Sequence, residues 1–111
     1  MKIEYQAVAD KLVIRLDGEL DLHTAEQFRQ VVEGALAETG ARDLVLNLGR
    51  VTFIDSSGLG VILGRYRRLR ESGGSMSLVR ASSRIKPILE LSGILRIIPL
   101  YGSEQQALEA S

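Results

Sequence analysis

The sequence predicts an α/β domain: one mixed, mostly parallel sheet with helices packed on it. Two observations carry this. Segments of strand periodicity alternate with segments of helical periodicity in the order strand-strand-helix, then strand-helix repeated, and such alternation implies parallel strands joined by crossover helices. The opening pair of strand segments is separated by only a short turn, which makes it an antiparallel hairpin. The chain has 111 residues. That length fits a single domain, residues 1–111, able to bury a core without disulfides or a structural metal.

Taken in order, Ile3, Tyr5 and Ala7 alternate with Glu4 and Gln6, and Ala9-Asp10-Lys11 reads as a turn. Leu12, Ile14 and Leu16 share one face of a second strand, with Arg15 and Asp17 on the other. Gly18 to His23 reads as a loop. Thr24 and Gln27 have capping-box spacing, so a helix is expected to begin there. It carries Ala25, Phe28, Val31, Val32, Ala35 and Leu36, and Gly40 is its natural stop. Leu44-Val45-Leu46-Asn47-Leu48 is the short apolar run of a strand covered on both faces.

After Val51-Thr52-Phe53-Ile54 comes Asp55-Ser56-Ser57-Gly58, then a second helix from about Ser57 to Ser72. Its stripe is Leu59, Ile62, Leu63, Tyr66 and Leu69, ended by Gly73-Gly74. Met76-Ser77-Leu78-Val79 gives another strand. Ser83 is expected to cap a third helix bearing Ile85, Ile88 and Leu89 and closed by Gly93, with Pro87 in its first turns. Arg96-Ile97-Ile98 is expected to be the last strand, and Ser103 with Gln106 repeats the capping-box spacing for a C-terminal helix.

Composition narrows the function. Apolar residues at 45% and charged residues at 25% are the proportions of a soluble globular protein. Fourteen Lys+Arg balance fourteen Asp+Glu, which argues against a general nucleic-acid binder. The absence of cysteine excludes a thiolate metal site and a Cys nucleophile, and the single histidine, His23, excludes a multi-histidine metal site. No apolar run reaches the roughly 18 residues of a membrane span. The N-terminus lacks the apolar core of a signal peptide. The expectation is a cytoplasmic protein that engages neither membrane nor nucleic acid and needs no metal.

The most unusual stretch is Phe53-Ile54-Asp55-Ser56-Ser57-Gly58-Leu59-Gly60. Asp and Ser can cap a helix by accepting from its free N–H groups, and glycines permit close packing. The same arrangement also presents a hydroxyl at the positive end of a helix, where an added phosphate is favoured. Enzyme readings fit less well. Ile54 stands where a nucleophile elbow around Ser56 needs its first glycine. The glycine spacing from Gly58 is one residue too long for the dinucleotide fingerprint. His23 is a conceivable base for Ser56, but no base–orienter pair accompanies it. A second candidate is Gly18 to Thr24, whose Glu19 and Asp21 precede a helix and can form an acidic rim for a basic residue of a partner. Arg65, Arg67, Arg68 and Arg70 read as a solvated face that favours the helix C-terminus.

The segments Gly18-Glu19-Leu20-Asp21-Leu22-His23-Thr24-Ala25-Glu26 and Phe53 to Tyr66 resemble the anti-sigma factor antagonists of the STAS domain family. The resemblance covers essentially the whole chain and the order of elements. It is nearest to the sporulation antagonists acting on the anti-sigma F factor. It implies a single STAS domain without catalytic activity of its own. The unphosphorylated form would bind an anti-sigma factor that is also a serine kinase and so release the sigma factor. The kinase, which holds the ATP and Mg²⁺, would phosphorylate Ser56, and a PP2C-type serine phosphatase would reverse this. The residues implied to meet the partner are Glu19, Asp21, Thr24, Asp55, Ser57, Gly58 and Leu59. A general stress-response antagonist of the same family and a nucleotide-binding STAS module remain alternatives.

Overall fold

The alternation at the start of the chain closes the hairpin it predicts. In a computed structural model, which describes residues 1–110, strand β1 (Lys2–Val8) runs antiparallel to β2 (Lys11–Leu20), with Ile3 opposite Leu16 and Tyr5 opposite Ile14. Helix α1 (Ala25–Thr39), strand β3 (Asp43–Ile54), helix α2 (Ser56–Glu71) and strand β4 (Met76–Val79) follow. Helix α3 (Lys86–Ser92), a 3₁₀ turn at Ile94–Arg96, strand β5 (Leu100–Tyr101) and helix α4 (Glu104–Glu109) complete the chain. The sheet order is β1-β2-β3-β4-β5, and every neighbouring pair after the hairpin is parallel. The expected α/β class and mostly parallel sheet are therefore what the chain forms.

The period-2 patterns sort the strands' side chains onto unequal faces. Leu12, Ile14, Leu16, Leu44, Leu46, Leu48 and Leu78 meet Phe28 and Val32 of α1, Ile62 and Leu69 of α2 and Leu89 of α3 in the main core. The opposite face has a small second core, Val13, Val45 and Val79 beneath Ala107 of α4. Arg15 donates to both carboxylate oxygens of Glu104 at 2.8 Å, and Asn47 Nδ2 donates to Glu104 Oε2 at 2.7 Å, fixing the first turn of α4 to the sheet.

Several expectations are corrected. Gly18–Leu20 is not loop but the end of β2, and Leu44–Leu48 and Val51–Ile54 are halves of one strand. Register shifts between Arg15 and Asp17 and between Gly18 and Glu19 keep β2 and β3 paired to their last residues. These irregularities, with Gly18 at φ 121°, break the alternation that sequence reading depends on. The expected strand at Arg96–Ile98 does not form. Ile94 and Ile98, four apart and both buried, are joined by a hydrogen bond from Ile98 N to Ile94 O at 2.9 Å, and the strand comes after Pro99. Helix α1 starts at Ala25, with no side-chain cap from Thr24, and α3 starts at Lys86, with no cap from Ser83. Ser103 does cap α4, accepting from Gln106 N at 3.2 Å, while Gln106 Oε1 accepts from Gly102 N at 3.0 Å.

Candidate functional site

Parallel pairing decides where the two singled-out segments meet. Leu20 and Ile54, the last residues of β2 and β3, are register partners. The chain therefore leaves both strands at the same edge of the sheet, and the two candidate stretches become neighbours.

Asp55 is the joint between them. Its backbone is extended (φ −106°, ψ −172°) and its Oδ1 accepts from Gly58 N at 2.9 Å, so that of the Asp and Ser caps the sequence offers, Asp55 is the N-cap of α2. Its Oδ2 reaches the other segment and accepts from Leu22 N at 3.1 Å. Asp55 N also donates to Leu20 O at 3.4 Å. Helix α2 begins at Ser56, one residue earlier than expected, so Ser56 is its first helical residue and Ser57 its second. Ser56 is exposed, and Ser57 is half-buried. Gly58 is buried, and a Cβ there would stand 2.2 Å from Leu20 O. That approach seats the start of α2 on the end of β2, and Leu59 packs against the main core.

The Asp21–Thr24 turn is built from its own polar atoms. Asp21 Oδ1 accepts from His23 N at 2.9 Å and from Thr24 N at 3.1 Å. Thr24 Oγ1 accepts from Asp21 N at 3.0 Å and donates to Glu19 O at 2.8 Å. The Thr24 hydroxyl is thus spent inside the turn, which is why it does not cap α1. Desolvation pushes the Asp21 carboxyl up, but the hydrogen bonds from His23 N, Thr24 N and the Thr24 hydroxyl outweigh it and hold the group below the ordinary carboxylate value. Asp21 therefore braces the turn through Oδ1 while remaining half-buried. Glu19, beside the turn, is exposed. Among the described residues His23 is held through its backbone N–H, to Asp21.

Sequence reasoning passed over two apolar side chains here. Leu22, in the turn after β2, is 70% exposed, and Phe53, two residues before the joint, is 46% exposed. Leu22 sits in a polar loop with no periodicity to mark it. Phe53 lies in an apolar run that looks like core until the bulged register with Glu19 is known. The arginine run also needs correction. Arg68 and Arg70 stand exposed in the last turn of α2, but Arg65 is largely buried and paired with Glu33 of α1, which also accepts from Arg29 Nη1 at 2.8 Å. Clefts of about 1120 Å³ beside α4 and about 460 Å³ between α1 and α2 are lined by other residues than Ser56. Ser56 is exposed at the first position of α2.

A mixed sheet of this order, with a capped serine pair at the edge where β2 and β3 end, defines the class: residues 2–107 match the STAS domain, and the chain belongs to that family. It is 38% identical to the anti-sigma F factor antagonist of Paenibacillus polymyxa over 97% of this chain and 92% of that protein. It is 28% identical to the anti-sigma-B factor antagonist of Bacillus subtilis, over 98% of each. Among solved structures it resembles the anti-sigma factor antagonist SpoIIAA in its unphosphorylated form, with TM-score 0.83, 31% identity and coverage of 97% of this chain and 94% of that one. The phosphorylated form of the Bacillus cell fate determinant SpoIIAA gives TM-score 0.75 at the same identity, over 97% of each chain.

Proposed function

We propose that this chain is a cytoplasmic anti-sigma factor antagonist switched by phosphorylation of Ser56. The unphosphorylated form binds an anti-sigma factor that is also a serine kinase and thereby frees the sigma factor. The kinase holds ATP and Mg²⁺. A bond forms between Ser56 Oγ and the γ-phosphorus, the bond to the bridging oxygen breaks, ADP leaves, and the hydroxyl proton passes to a base of the kinase. A PP2C-type phosphatase returns the serine by hydrolysis. The observation that carries this reading is the exposed Ser56 at the first position of α2, on an open edge beside the Asp21–Thr24 turn. Phosphate there adds roughly −1.5 to −2 charges to a face already holding Glu19 and Asp55, so repulsion and desolvation break the complex.

Sigma F is the preferred target, because identity to the Paenibacillus antagonist exceeds that to the anti-sigma-B antagonist. Incubation with the anti-sigma kinase and ATP, followed by mass spectrometry, tests the reading. Phosphate is expected on Ser56, absent from Ser56→Ala and retained in Ser57→Ala, because Ser57 is half-buried where Ser56 is exposed. Phosphate mainly on Ser57 would overturn the assignment. Comparing sigma F and stress-response partners in the same assay separates the two targets.

A further inference from the structure

We propose that Asp55 acts as a positioning residue: by tying the Asp21–Thr24 turn to the start of α2, it holds Leu22 outward as the apolar anchor of the docking face around Ser56. The inference rests on the functional reading above, which supplies the partner. Both Asp55 oxygens are occupied, Oδ1 by Gly58 N at 2.9 Å and Oδ2 by Leu22 N at 3.1 Å. The carboxylate is thus directed inward, at the backbone of two segments 33 residues apart, and not toward a partner's cation. The second hydrogen bond falls on the residue whose side chain is 70% exposed.

A leucine in an unrestrained polar turn would spend part of its time folded against the surface. This turn is restrained at Leu22 by Asp55 and on either side by Asp21 and Thr24. An apolar side chain held ready in this way loses little freedom on binding, which is how a small anchor contributes affinity. Phe53, near the end of β3, is also exposed, at 46%. The partner surface that fits is an apolar pocket next to the kinase's phosphate-transfer site. One face then has two functions: Leu22 anchors, and Ser56 is presented for phosphate.

Asp55→Asn separates the two bonds. Asparagine is as good an N-cap as aspartate, but it has one acceptor oxygen, and its amide group would turn a donor toward Leu22 N. Calorimetric titration with the anti-sigma factor, using wild type, Leu22→Ala, Asp55→Asn and the double variant, is the test. Each single variant is expected to bind about tenfold more weakly, the loss typical of truncating an interface anchor. The double variant is expected to be no weaker than Leu22→Ala. Losses that multiply would mean Asp55 meets the partner itself, and would overturn the proposal. So would full affinity in Leu22→Ala, a solvent-exposed change that leaves the fold intact. Amide-proton temperature coefficients add a partner-free readout: Leu22 N–H should become solvent-like in Asp55→Asn while Gly58 N–H stays bonded, and an unchanged Leu22 would refute the tie. A wild-type chain that binds no anti-sigma factor overturns the functional reading instead, whatever the amide result.

Discussion

Gly58 shows how a single hydrogen atom sets the geometry of the serine pair. Its missing Cβ would lie 2.2 Å from Leu20 O and 3.0 Å from Leu20 C, backbone atoms that cannot turn aside as a side chain would. Gly58→Ala must push α2 away from β2, and forced overpacking of this kind costs about 1–3 kcal/mol. Gly34, in the middle of α1, has nothing within 4 Å of its would-be Cβ. Gly34→Ala should therefore stabilise by about 0.5–1 kcal/mol, the ordinary helix gain over glycine. Thermal denaturation of both variants checks the pair: opposite shifts in Tm are expected, and a common sign would refute the close approach. At this scale the cap in Asp55-Ser56-Ser57-Gly58 was legible, because cap chemistry is local. The part played by Asp21 was not. An acid before a helix looks the same in sequence whether or not it closes its own turn, and only the bonds from His23 N and Thr24 N show that Asp21 does.

Elements were legible where one pattern served one environment. Helix α2 came out within a residue because Ile62 and Leu69 keep helical spacing to its end. The strand expected at Arg96–Ile98 failed because Ile94 and Ile98 suit a helical turn as well as an isolated apolar run suits a strand. Helix α4 is a different case: its cap was readable, but not its tie to the sheet, since Arg15, Asn47 and Glu104 are brought together only by the fold. The hydrogen bonds from Arg15 and then Asn47, with the Arg15 charge, hold the Glu104 carboxyl below its ordinary value of 4.5 against the opposing effect of burial. A depressed folded-state pKa means that the unfolded chain takes up the proton first. The clamp's contribution is therefore complete above pH 4.5 and fades as pH falls through the lower folded value. The protection of the α4 amides, their exchange measured against the intrinsic rate at each pH, should fall on acidification below that point. Glu104→Gln, which cannot titrate, should lose this acid-dependent step while exchanging faster at neutral pH. Equal acid dependence in both proteins would remove Glu104 from the account.

On the scale of the whole molecule, the core and the switch occupy different places. Phe28, Val32, Ile62, Leu69 and Leu89 pack on one sheet face, whereas Ser56 stands exposed at the very start of α2. A charge added there touches no packed side chain. Its effects on the fold are a favourable interaction with the N-terminus of α2, about 0.3–1 kcal/mol, and repulsion from Asp55 that opposes it. The sum should be small. Ser56→Asp changes the balance from 14 cations and 14 anions to 14 and 15, a net charge of −1. Since about 1 kcal/mol moves Tm by roughly 4–8 °C in a domain of this size, Tm should shift by less than about 5 °C while affinity for the anti-sigma factor falls. Circular dichroism melts and titration on the same sample test this. A large fall in Tm, or loss of the near-ultraviolet signal at ambient temperature, would mean that charge at Ser56 acts by undoing the fold. An intact melt with lost binding would mean that it acts at the surface, where the exposure of Ser56 places it.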